Sequence, residues 1–288
     1  MTNRSDGWES PLHSKNARFF TKTGVKKKRI ISFSLYGDNP KYQKGALENM
    51  RLARELYSGW TCRFYISQEI SSSIVCKLKE EGGEVIKKIR KGDVHGTLWR
   101  FLPASDRDLD ILLVRDIDSR LSKREVLAVQ EWIKSGKKFH IMRDHPFHIQ
   151  LIMAGMWGCR GNVLHNLPHL VRKWRLMCLI TGRRSHLKGK GQDQVFLSRM
   201  VYPRIKNDVL IHSEFVSFQG EQVRPFPSPR KDFEFVGEIL NADGTRIERH
   251  LSALKKQGMK VYPMPDVRLF KRFQNKLHRL KRRFSGCA

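Results

Sequence analysis

Asp116 and Asp118 stand two residues apart, directly after the apolar run "ILLV" (111–114). Two carboxylates at this spacing, in an extended or turning segment, can be presented to one hard divalent cation, Mg²⁺ or Mn²⁺. Such a cation keeps open positions for phosphate oxygens. Spacing alone does not select that chemistry, because Asp106, Asp108 and Asp110 repeat the Asp-X-Asp pattern just upstream. A solvated turn, with Ser119 or Ser122 capping the helix that follows, would use the same residues. Position separates the two sets. In open α/β sheets, ligands bind beyond the carboxyl ends of the strands. Asp106, Asp108 and Asp110 precede the strand-like run, whereas Asp116 and Asp118 follow it, at the ligand edge. Asp144 ends the run "FHIMRD" and falls at that edge too. Asp193 opens a helical pattern after "KGKGQ", where accepting backbone N–H groups as an N-cap is the ordinary task. His145 and His148 in "DHPFH" do not read as a zinc site. No cysteine or further histidine lies at ligand spacing, and Pro146 would break a helical i, i+3 face.

The elements that must position these residues alternate. "RIISFSLYG" (29–37) is strand-like and ends in the turn signal "GDNP"; Asp38 or Asn39 can then cap a helix with Pro40 in its first turn. A strand at 62–66, a helix around 70–81 and a short strand "EVIKKI" follow. The continuous apolar character of 111–114 marks a central strand buried on both faces. Next come a capped helix at 122–136, a strand at 139–144, an extended segment at 152–158, a helix at 167–182, a short helix at 193–203 and the strand "VLIH" (209–212). This order predicts an α/β sandwich around a largely parallel sheet.

Composition sets the outer bounds. The 288 residues are 40% hydrophobic, enough for one large domain with appendages. No apolar run reaches the ~20 residues that span a bilayer. The polar start "MTNRSDGWESPLHSKN" lacks a signal core, and five scattered cysteines read as reduced thiols, so a cytoplasmic setting is expected. Fifty-six Lys and Arg against 28 Asp and Glu give a net charge of +28, which calls for polyanionic surroundings. The segment 268–284 holds eight basic residues and no acidic one. Its Phe270, Phe273, Leu277, Leu280 and Phe284 fall at helical spacing. Three parts are therefore expected: an arm at 1–27, a domain at 28–266, and a basic amphipathic tail at 267–288 that could lie on the cytoplasmic face of an anionic membrane.

The combination of "SFSLYGDNPKYQKGALENMRLARELYSGWTCRFYI", "LWRF", "ILLVRDIDSRLSKREVLAVQEWIKSGKKFHIMRDHPFH", "AGMWG" and "GQDQVFL" resembles the glycosyltransferases of the GT-A fold, over about residues 30 to 240. That resemblance implies a Rossmann-like α/β/α sandwich and a DxD motif holding Mn²⁺ or Mg²⁺ on the diphosphate of a nucleotide-sugar. It implies metal binding by Asp116 and Asp118, with His212, ending "VLIH", as a third ligand. Arg100 and Arg115 would face the donor phosphates. Gly155 and Trp157 of "AGMWG" and Gln194 of "DQVFL" would line the donor pocket, although Met153 stands where an amide is expected. Asp193 or Asp144 would be the carboxylate beside the reacting carbon. The implied reaction moves a sugar from a nucleotide-diphosphate sugar to a hydroxyl on a glycan or lipid-linked acceptor, as in surface polysaccharide or glycoconjugate synthesis. Two rival readings use the same residues. A metal-dependent nuclease would suit the charge, but no nucleic-acid-binding motif appears, so no specific nucleic acid is expected. A catalytically inactive scaffold of the same fold would bind no nucleotide diphosphate.

Overall fold

The computed structural model describes residues 27–88, 94–161, 163–182, 191–257 and 262–264. The expected arm at 1–27, but for Lys27, and the basic tail expected at 267–288 lie outside the described residues.

The first strand, β1 (Lys28–Leu35), leads through the Asn39 cap and Pro40 into α1 (Pro40–Leu56); the Asn39 side chain accepts from the Lys41 N–H at 3.0 Å. Then follow β2 (Thr61–Ile66), α2 (Ser72–Glu80), β3 (Glu84–Lys87) and a 3₁₀ segment, Val94–Ser105. The central β4 (Leu109–Arg115) is followed by α3 (Lys123–Ser135), β5 (Phe139–Arg143), β6 (Met156–Arg160) and α4 (Leu167–Ile180). The short α5 (Gln192–Phe196) runs through one π-helical turn (Leu197–Val201) into α6 (Tyr202–Ile205). The last described elements are β7 (Val209–Ser213), β8 (Val216–Phe218), β9 (Val223–Arg224), α7 (Glu248–Gln257) and β10 (Tyr262–Met264).

Eight strands form one sheet in the order β3-β2-β1-β4-β6-β5-β7-β9. All neighbours are parallel except β6, which runs antiparallel to both β4 and β5. The mostly parallel α/β/α sandwich expected from the order of elements is therefore present, with the "AGMWG" segment entering the one reversed strand. β8 and β10 pair separately.

The strand β4 shows why the sheet is central. Ile111 and Leu113 pack with α1, α2 and α3, while Leu112 and Val114 pack with Phe101, Trp157 and the α4–α6 side. Side chains that alternate with period two feed two cores, so a strand between helical layers must be apolar at every position. At its amino end Asp108 meets Lys28 at 3.2 Å and Asp110 meets Arg29 at 3.1 Å. These upstream aspartates hold the starts of strands together, on the edge opposite to Asp116.

Candidate active site

Beyond the carboxyl end of β4 the chain turns through residues 116–121, and α1 sets the shape of that turn. Asn49 is buried; its Nδ2 donates to the carbonyls of Ile117 (3.3 Å) and Ser119 (2.8 Å), and its Oδ1 accepts from the Leu121 N–H at 3.2 Å. One helix residue thus satisfies three backbone groups of the turn. Gly45, one helical turn before Asn49, lets α1 lie against the Ile117 carbonyl, where a Cβ would overlap it. Ser119 Oγ closes the turn by donating to the Asp116 carbonyl at 2.9 Å.

Three distant segments meet at Asp116. Arg100, on the 3₁₀ segment, pairs through Nη1 with Asp116 Oδ1 and through Nη2 with Asp193 Oδ2 at 3.1 Å. Its backbone N–H donates to Ser34 Oγ at the end of β1, which fixes the segment over the sheet edge. Gly155 abuts the other Asp116 oxygen so closely that a Cβ would displace the carboxylate. Asp116 is the open member of the group, its side chain 40% exposed against 7% for Arg100 and 8% for Asp193. One guanidinium therefore bridges a half-open and a buried carboxylate. Burial pulls the Arg100 pKa down, but Asp116 and Asp193 more than offset this and raise it. Burial raises the Asp193 pKa; Arg100 opposes and Asp116 adds to the rise. Arg100 Nε is buried without a hydrogen-bond partner.

The site also contains residues that motif reading passes over. Tyr36, just beyond β1, is half-buried; burial, opposed by Arg100 and reinforced by Asp193 and Asp116, pushes its hydroxyl up to about 12. Lys41, in the first turn of α1, holds Asp118 Oδ2 at 2.9 Å. The available signal was positional: both follow the carboxyl end of a central strand, where a helix begins. Gln194 is placed by its neighbour, its N–H donating to Asp193 Oδ1 at 2.9 Å. Asp193 is not the N-cap of α5, as its local sequence suggests. Gly191 takes that place, and Asp193 lies inside the first turn.

The structure does not bring the other expected residues to this site. Arg115 is buried and turned into the α3 layer, with Nε on Glu125 at 2.8 Å and Nη1 on the carbonyls of Val114 (2.7 Å) and Trp157 (2.9 Å). Its ionic partner is Glu125, so it does not face the donor phosphates as expected. Trp157 is fully buried, stacked on Phe139 with Phe101 at its edge, and is core. Asp144 does end β5 at the ligand edge, but it is fully buried and saturated. Arg124 donates to both of its oxygens (2.8 and 3.0 Å), Arg230 to one (2.7 Å) and the Val236 N–H to the other (2.8 Å). The segment around 228–236 lies over this part of the edge and uses Asp144 as its anchor.

His212 is separated from Asp116 by the order of strands. β7 is three positions from β4, about 14 Å at the usual strand spacing. Both of its ring nitrogens are engaged, Nε2 with Glu131 at 3.2 Å and Nδ1 with His140 Nε2 at 2.8 Å. A carboxylate only accepts, so His212 Nε2 donates and its Nδ1 accepts from His140. The structure does not bring His212 to the Asp116 group. Among the described residues no group of three His, Cys, Asp or Glu side chains is placed to hold a metal. What remains for a cation is the carboxylate pair. Carboxylate oxygens are the donor type that Mg²⁺ or Mn²⁺ takes, and in this structure the two carboxylates face Arg100 and Lys41.

No protein-family model matches the chain, and no curated protein matches it. Among solved structures, it is similar to 4-diphosphocytidyl-2C-methyl-D-erythritol synthase from Anaerococcus prevotii. That match has a TM-score of 0.40 at 11% identity and covers 65% of this chain and 87% of that one. Glucosyl-3-phosphoglycerate synthase from Mycobacterium tuberculosis, in its complex with Mn²⁺, UDP-glucose and phosphoglyceric acid, matches at 0.32 and 15% identity over 47% of this chain and 58% of that one. Likeness at this level leaves the function to be read from the chain's own residues.

Proposed function

We propose that the protein transfers a sugar from a nucleotide-diphosphate sugar to an acceptor hydroxyl at the edge beside Asp116. One observation supports this above the others: Arg100, Asp116 and Asp193, from three separate segments, meet at the carboxyl edge of the central strand, with Gly155 lying close against Asp116. A cation flanked by carboxylates suits a reaction in which a diphosphate departs with growing negative charge while the sugar carbon becomes oxocarbenium-like.

Asp116 and Asp118 would hold Mn²⁺ or Mg²⁺, which when bound supplies charge neutralisation for the leaving diphosphate. Arg100 and Lys41 each pair with one of these aspartates, so both are cations within reach of phosphates that approach them. Gly155 lets the Asp116 carboxylate lie against the backbone of the segment entering β6, where any side chain would displace it. Asp193 serves the sugar carbon and the acceptor. In an inverting reaction it removes the acceptor proton, and burial has moved its basicity in the useful direction. In a retaining reaction it stabilises the positive carbon, and the anomeric configuration of the product separates the two. The acceptor is a glycan or lipid-linked hydroxyl, and the basic tail at 268–284 would bring the enzyme to a membrane carrying it. No described helix is long and apolar enough to cross that membrane.

The test is thermal stabilisation and turnover across a panel of nucleotide-diphosphate sugars, with and without Mn²⁺. Stabilisation by one donor that needs the metal, and sugar release in the same mixture, is the expected result. A panel without any metal-dependent stabilisation refutes the proposal and favours the inactive scaffold.

A further inference from the structure

We propose that the carboxyl-terminal half of α4 is a docking surface for an anionic lipid bilayer, distinct from the basic tail. The inference rests on the surface of this helix and does not depend on the transferase reading.

The helix buries Leu167, Leu170, Trp174 and Cys178 against the core, at intervals of three and four. That stripe occupies one face. The opposite face carries Leu176, Leu179 and Ile180, which are 58%, 50% and 75% exposed, with Met177 at its flank 40% exposed. Of the six exposed large hydrophobic residues among those described, four lie in this five-residue span. A single exposed leucine is ordinary, but a contiguous group at a helix end marks an interaction surface.

The charge around the group indicates what it meets. Arg172 and Lys173 stand one turn earlier on the same outward face, with Arg175 beside them, all exposed. From 166 to 192 the sequence has seven Lys and Arg and no acidic residue. A cationic collar behind an aliphatic tip matches the interfacial zone of a bilayer, where basic groups meet lipid phosphates and aliphatic side chains enter the acyl boundary. A polynucleotide would satisfy the collar alone. Bases stack on aromatic rings, and the exposed tip has none. The helix packs on the 3₁₀ segment that carries Arg100, and the chain after it leads to Asp193. Docking through α4 therefore holds the candidate site close to the bilayer.

The test compares the full chain with its Leu176→Ser/Leu179→Ser/Ile180→Ser variant in co-sedimentation with phosphatidylcholine vesicles containing about 30% phosphatidylglycerol, and with pure phosphatidylcholine. These side chains face solvent, so far-UV circular dichroism and melting temperature should match the wild type. Both chains carry the same tail, so any difference reports α4. The wild type should bind only the anionic vesicles and stay bound in part at about 0.5 M salt, where surface charge is screened. The variant should bind at least roughly tenfold more weakly and be released by that salt. Equal sedimentation of the two chains overturns the proposal. So does a loss confined to single-stranded polynucleotide binding, which would make the surface a nucleic-acid site.

Discussion

In Asp144→Ala, two guanidinium groups lose the carboxylate that now lies between them. Arg124 loses bonds of 2.8 and 3.0 Å and Arg230 one of 2.7 Å, and the Val236 N–H is left without its acceptor. Removing one partner of a buried ion pair typically costs about 3–5 kcal/mol, because the remaining charge stays buried and uncompensated. Here Arg124 keeps Glu214 at 2.8 Å and Arg230 keeps the Glu234 carbonyl at 2.5 Å, which puts the loss near the lower end, about 3 kcal/mol. For a domain of this size each kcal/mol lowers the melting temperature by about 2–4 °C, so the variant should melt about 6–12 °C early. The assay is calorimetric or circular-dichroism melting, paired with urea midpoints. Asp108→Ala is the control: its pair with Lys28 is partly exposed, and such pairs are worth at most about 1 kcal/mol. At a temperature where both proteins are folded, Asp144→Ala should retain donor binding. A melting temperature within about 2 °C of the wild type, together with a collapse of kcat, would refute the reasoning and return Asp144 to the chemistry.

Asp193→Asn should behave in the opposite way, with kcat lower by about 10²–10⁴ and donor KM little changed, measured by steady-state kinetics. Because burial raises its pKa, the acid limb of the wild-type rate should lie above the ordinary 3.8; a limb at or below 3.8 would remove Asp193 from the proton transfer. Asp118→Ala should abolish Mn²⁺-dependent stabilisation by the donor while leaving the melting temperature of the free protein close to the wild type, and undiminished turnover in this variant would exclude the metal role. Stability should fall on acidification. Burial lowers the pKa of His140, His145, His148, His212 and His250 in the folded state, that of His145 to about 4. The unfolded chain therefore takes up more protons below 6.5, and the stability held above 6.5 is lost as pH falls toward the folded values. Asp193 acts in the reverse sense, as one carboxylate against five histidines. Urea midpoints at pH 7.5 and about 5 check the sign, and a higher midpoint at the lower pH would contradict it.

The parts of the molecule that were legible from the sequence rest on local or periodic rules. Four consecutive apolar residues at 111–114 identify a strand buried on both faces, because a period-two element between two helical layers has no solvent side. Once that strand is recognised, chain direction alone puts Asp116 and Asp118 at its carboxyl end and Asp106, Asp108 and Asp110 at its start. The Asn39-Pro40 opening of α1 and the Ser122 cap of α3 are likewise local. Which carboxylates at the ligand edge stay available was decided only by tertiary contacts. Asp144 and Asp193 look alike as aspartates at the ends of elements. Asp144 is covered by Arg230 and Val236, 86 and 92 residues away, whereas Asp193 is carried to within 3.1 Å of Arg100, 93 residues away. Arg115 sits beside Asp116 in the chain yet faces the opposite layer, because alternate residues of a strand point to opposite faces. His212 ends a strand at the right edge, but the order β4-β6-β5-β7 sets two strands between it and the aspartates. Strand order and long-range pairing follow from how whole layers pack, and no short stretch of residues encodes them.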